Sequence, residues 1–136
     1  MRKIIIASHG ELATGILNTL SMIVGDKYVK NIETFSLYPG EDAADLVNKL
    51  ETKLNKDDEY IILTDILGGS VDNAFSTLLL NENVYLISGV NLLLLLEIVL
   101  NEHPDTELVC LTAVENARKG INFRKELVLT AEDEEF

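Results

Sequence analysis

The sequence predicts an α/β fold: a doubly wound, mostly parallel sheet with helices on both faces. Three observations carry that prediction. Short runs of β-branched and aliphatic residues alternate with stretches whose apolar residues recur every three or four positions. The runs are almost continuously apolar, as strands covered on both faces are. The chain has 136 residues, 47% hydrophobic and 25% charged, enough to bury roughly two-thirds of its unfolded surface behind one core.

The first strand is Lys3 to Ala7, and Leu12, Ile16, Leu20, Ile23 and Val24 mark the helix after it. Asn31 to Leu37 is the second strand, followed by a helix on Ala43, Leu46, Val47, Leu50 and Leu54. Tyr60 to Thr64 is the third, with Ala74, Phe75, Leu78 and Leu79 on its helix. Asn83 to Ser88 is the fourth, and the leucine-rich stretch Asn91 to Asn101 reads as a deeply buried helix. That stretch is about a dozen residues long and contains Glu97, whereas a bilayer span needs about 20. Beyond Pro104, Leu108, Leu111, Val114, Ala117 and Ile121 give a fifth helix, Phe123 to Thr130 a last strand, and residues 131–136 a short acidic tail. Right-handed βαβ crossovers produce this alternation. Nothing marks a boundary within 1–136, so one domain is expected.

The formal net charge of −12 repels phosphate backbones and anionic lipid heads, which argues against nucleic acid and membrane surfaces as partners. The single cysteine, Cys110, lies in the apolar stretch "ELVCLTAV" and reads as a buried, inert thiol in a reducing compartment. The apolar run after Met1-Arg2-Lys3 stops at Ser8-His9, too soon for a signal peptide, so a cytoplasmic location is expected. Two distant histidines and one cysteine give no metal spacing, and neither a dinucleotide fingerprint nor a P-loop occurs.

In an open α/β sheet the reactive crevice lies outside the carboxyl ends of the strands. Those ends carry Ser8-His9-Gly10, Tyr38-Pro39-Gly40-Glu41, Asp65 to Ser70 and Gly89-Val90-Asn91. In the strand order 2-1-3-4 the first and third strands are neighbours about 5 Å apart, which brings His9 and Asp65 within hydrogen-bonding reach. A carboxylate on one ring nitrogen fixes the imidazole tautomer and leaves the other lone pair facing the cleft. Gly68 and Gly69 let a ligand approach the main chain, and Ser70 is a natural N-cap. Free amides at a helix start suit a phosphate. Nucleophile, orienting carboxylate and anion cradle together suit phosphoryl transfer through a phosphohistidine. Taken singly, a histidine after a strand is more often structural, and a Gly-Gly pair is an ordinary turn. His103, in "NEHPDTE", has no comparable partner and reads as a surface loop residue.

These segments resemble the enzyme IIA component of the mannose-type family of the bacterial phosphoenolpyruvate-dependent sugar phosphotransferase system. "IIIASHGELATGILNTLSMIVG" is similar to the family's first strand, active histidine and first helix. "LYPGEDAADL" resembles its P-G-E/D-x-x-x-x-L loop, "ILTDILGGSVDNA" its D-x-x-G-G-S-P-x-N-A segment, and "ISGVNLLLLLE" its G-V-N-x-P-M-L-x-E segment. Val71 replaces the proline of the G-G-S-P loop, and Leu92-Leu93 replace the usual pair after G-V-N.

The resemblance implies that His9 accepts a phosphoryl group from the phosphocarrier protein HPr and passes it to a IIB component, without metal or cofactor. It implies that Asp65 orients His9 and that Ser70, with Gly68 and Gly69, holds the phosphoryl oxygens. Ile66 and Leu67 are expected at the rim where partners dock. It further implies a homodimer whose carboxy-terminal strand, antiparallel to the rest, can cross to the other subunit. Association with the membrane IIC and IID components would be indirect. Some relatives fuse IIA to IIB through an Ala/Pro-rich linker; here the chain stops soon after the last expected strand, which implies a free-standing subunit. The competing readings are the phosphotransfer subunit of dihydroxyacetone kinase, which shares the histidine-after-strand layout, and a non-catalytic anion-binding regulatory module.

Overall fold

A computed structural model describes residues 1–125. Four strands, β1 (Arg2–His9), β2 (Ile32–Leu37), β3 (Glu59–Thr64) and β4 (Val84–Ser88), form one parallel sheet in the order β2-β1-β3-β4. Between and after them lie α1 (Leu12–Val24), α2 (Ala43–Glu51), α3 (Ser70–Ser76), α4 (Leu92–Leu100) and α5 (Thr106–Lys119). Short 3₁₀ turns occupy Asp26–Tyr28 and Thr77–Leu80.

The period-two alternation of the strands divides the core. Ile4, Ile6, Ile61 and Leu63 face α1, α4 and α5, where Leu20, Leu95, Ile98 and Ala113 meet them. Ile5, Ala7, Tyr60 and Ile62 face α2 and α3, meeting Leu46, Leu50, Val71 and Phe75. Phe75 also tilts against Phe35, with ring centroids 5.8 Å apart. Full burial of each such aliphatic side chain contributes about 1.5–3 kcal/mol, so the two central strands anchor both layers. The edge strands β2 and β4 are only half-buried, unlike the fully covered runs expected from their composition. An edge strand has a neighbour on one side alone.

Caps set the helix starts. Asp42 accepts the Ala44 amide, Asn91 the Leu94 amide and Asp105 the Leu108 amide, each satisfying a donor that the first turn leaves unpaired. The third helix is shorter than its apolar spacing suggests: α3 stops at Ser76 and tightens into the 3₁₀ turn that buries Leu78. Leucine-rich α4 buries Leu94, Leu95 and Ile98, while Leu93 and Leu100 are exposed. It is therefore one-faced rather than deeply buried all round. The fifth helix ends at Lys119, leaving Ile121 beyond it. Of the expected last strand, Phe123 has no regular structure and Arg124 and Lys125 are helical; its remainder and the acidic tail lie outside the described residues. No helix among the described residues is long and apolar enough to cross a membrane. Cys110 is buried, and burial pushes its thiol up to about 11, as an inert thiol requires.

Candidate functional site

Two neighbouring strand ends build the site. His9 is the last residue of β1, and Gly10, at φ 56°, turns the chain sharply after it. The Gly10 amide donates to the Leu37 carbonyl on β2. Ser8, fully buried, accepts the Ala13 amide in the first turn of α1. The backbone on both sides of His9 is thus fixed while its ring stays half exposed, at 50%.

Asp65 follows the last residue of β3, beside His9, as the parallel register of Ala7 with Thr64 requires. Its Oδ2 accepts from the His9 amide at 2.8 Å and lies 2.7 Å from ring Nδ1. Its Oδ1 accepts the Ile66 amide at 3.0 Å. Asp65 is 10% exposed. Burial by itself would push its carboxyl up, but the His9 and Ile66 donors outweigh that and hold it below the ordinary carboxylate value. An ionised carboxylate can only accept, so Nδ1 carries the ring proton. The other ring nitrogen, Nε2, then presents its lone pair, and it faces Ser70 Oγ at 2.9 Å.

The loop that carries Asp65 and Ser70 is held mainly by polar bonds. Ile66 and Leu67 are 60% and 80% exposed, forming an apolar rim beside the imidazole. The Gly69 amide donates to the Ile66 carbonyl. Gly68 takes φ 80°, open to glycine and strained for other residues. A side chain at Gly69 would bring its Cβ 3.7 Å from His9 Cε1 and 2.8 Å from the Ile66 side chain, so the main chain passes close to the ring.

Two features differ from the sequence expectation. Gly69, in extended conformation, is the N-cap of α3, and Ser70 is the first helical residue; its hydroxyl reaches across to His9 instead of capping. The Gly68 amide is already donated to Asp72 Oδ2 at 3.0 Å, so Gly68 serves the turn and is not an open donor towards the ring.

Sequence reasoning missed Asp72 altogether. It is 5% exposed, and its Oδ1 accepts the hydroxyls of Thr64, at the end of β3, and Ser88, at the end of β4. An aspartate in the first turn of a helix reads as a solvated residue favoured by the helix dipole; only the fold shows three donors converging on it. His103 stands apart: its carbonyl accepts from Arg2 and its Nδ1 from the Asp105 amide. The concavity lined by Lys3, Lys30, Lys53 and Tyr60 opens at the amino ends of the strands, opposite His9. It has no part in this chemistry.

Comparison with known proteins gives concordant results. A family model described as the fructose IIA component of the PTS system matches residues 3–111. The chain is 35% identical over 129 residues to the PTS system mannose-specific EIIAB component of Escherichia coli (strain K12), covering 90% of this chain and 39% of that protein. It therefore spans about two-fifths of the length of that relative. It is also 35% identical over 102 residues to the PTS system sorbose-specific EIIA component of Klebsiella pneumoniae, 73% of each chain. Its fold superimposes on the phosphotransferase system component EIIA of Streptococcus agalactiae with a TM-score of 0.83 at 28% identity, over 93% of this chain and 99% of that one.

Proposed function

The chain belongs to the mannose-type enzyme IIA family of the sugar phosphotransferase system, and on that premise we propose that it is a cytoplasmic phosphoryl carrier with His9 as the nucleophile. The observation that carries this reading is the half-exposed His9 ring, held at Nδ1 by Asp65 and turned with Nε2 towards Ser70. Phosphoryl transfer needs an in-line nucleophile and donors for the equatorial oxygens more than it needs covalent chemistry from the protein.

In the proposed step, the Nε2 lone pair of neutral His9 attacks the phosphorus held on the histidine of phospho-HPr. The new N–P bond forms as the old one breaks, and the electron pair of the old bond stays on the donor's imidazole. The Nδ1 proton remains between His9 and Asp65, whose charge stabilises the positive ring as it develops. Ser70 Oγ–H, a donor to Nε2 in the resting state, turns to a phosphoryl oxygen, with the backbone at Ser70 alongside. The reverse geometry then passes the group to a nucleophilic side chain of a IIB component. Exposed Ile66 and Leu67 supply the apolar part of the docking rim for both partners. A homodimer, with only indirect contact to IIC and IID, completes the proposal.

Incubation with phosphoenolpyruvate, enzyme I and HPr tests it. The intact chain should acquire one acid-labile, base-stable phosphate on His9, and His9→Ala should acquire none. Phosphate on the His9→Ala chain, or no phosphate on the intact one, would overturn the reading.

A further inference from the structure

Residues Asp65 to Ser70 must hold two side chains on opposite nitrogens of one imidazole, yet the loop buries little apolar surface, because Ile66 and Leu67 point outward. Its shape therefore depends on polar contacts, and these converge on Gly68. The Gly68 amide donates to Asp72 Oδ2 at 3.0 Å, and its carbonyl accepts from Asn73 Nδ2 at 3.0 Å. Asp72 is itself tied to the frame, since Oδ1 takes the Thr64 and Ser88 hydroxyls from two adjacent strand ends. A peptide gripped at both its ends, next to the residue that lies against the ring, cannot shift without moving Ser70.

We propose that Asp72 is a positioning residue for His9: its buried carboxylate fixes the Gly68 peptide to the ends of β3 and β4 and thereby sets where Asp65 and Ser70 meet the imidazole. Asn73 is the lesser half of the same clamp. Burial would raise the Asp72 carboxyl, but the Ser88, Thr64 and Gly68 donors outweigh it and keep the group below its ordinary value. The carboxylate form, with acceptors on both oxygens, is what the clamp uses. The proposal rests on the phosphoryl-carrier reading for its kinetic consequence and not for its structural one.

Asp72→Ala is the informative variant. It removes both acceptor oxygens, so the Gly68 amide and the two hydroxyls lose their common partner. Single-turnover transfer from phospho-HPr, counted per folded molecule, should slow about ten- to a hundredfold, the scale of a displacement near 1 Å at a reacting centre. Ring ¹⁵N shifts should report mixed tautomers for His9 where the intact chain shows Nδ1–H alone. Asp105→Ala, which removes the cap of distant α5, serves as the stability control and should change neither reading. A wild-type rate and a single tautomer in Asp72→Ala would overturn the proposal. If that variant does not fold, exposed Asn73→Ala decides: slower transfer with mixed tautomers supports the clamp, and wild-type behaviour overturns it. Should the intact chain accept nothing from phospho-HPr, the functional reading fails, and the tautomer comparison alone decides for or against Asp72.

Discussion

One carboxylate oxygen that accepts both the amide and the ring N–H of the same residue leaves that residue little freedom. Asp65 Oδ2 does this to His9, so removing it should disturb the ring's orientation and tautomer while leaving the nucleophile in place. Asp65→Asn should slow phosphoryl transfer by roughly a hundredfold or more, with docking affinity almost unchanged; rapid-quench kinetics and titration calorimetry with HPr separate the two. Gly69→Ala keeps an ordinary φ, but its methyl would press on Ile66 Cγ2 and on the Ile66 carbonyl oxygen 3.3 Å away, so the loop must shift beside His9 Cε1. We expect a lowered melting temperature and slowed transfer, and a wild-type rate would show that the main chain need not pass so near the ring. The pair His9 and Asp65 was legible in sequence because parallel neighbours must bring their carboxyl ends together. Asp72 was not, because its partners Thr64 and Ser88 belong to different strands and no local pattern joins them. Ser70 reads as a cap from its position before a helix, but its hydroxyl has a stronger acceptor in the imidazole.

At the scale of elements, the site is a by-product of how helices start. Ser8 caps α1 from inside the sheet by accepting the Ala13 amide, so the segment that carries His9 also anchors a helix. Ser8→Ala should cost about 1 to 2 kcal/mol in urea unfolding and leave His9 phosphorylation intact. A loss of phosphorylation without a loss of stability would contradict that division of labour. All four described strands and five helices could be read from apolar runs and spacing, since each strand is bounded by glycine or polar residues. Their ends could not. Leu54 and Ile121 continue an apolar period beyond the last helical residue, and six leucines in α4 exceed what one face can bury. Where a helix stops and which leucines stay exposed are decided by tertiary packing, to which a linear pattern is blind.

Across the whole molecule, two charge effects follow. Asp65 and Asp72 titrate below the ordinary carboxylate value in the folded state. Their contribution to stability is therefore complete above about pH 4, the unfolded value, and is lost as pH falls through the lower folded values. Acid unfolding followed by circular dichroism should show a shallower loss for Asp65→Asn than for the intact chain; equal slopes would mean that the carboxylate contributes nothing. The net charge of −12 should steer a partner with a positive face, so the second-order transfer rate should fall as salt is added. A rate indifferent to ionic strength would assign docking to the apolar rim alone.

The site's chemistry turns on which ring nitrogen is left to react, and NMR of the phosphorylated chain with ¹⁵N-labelled histidine answers that directly. Coupling to phosphorus should appear at Nε2 of His9, with the proton retained on Nδ1. Phosphorus bound to Nδ1 would contradict the role assigned to Asp65 and, with it, the mechanism built on that contact.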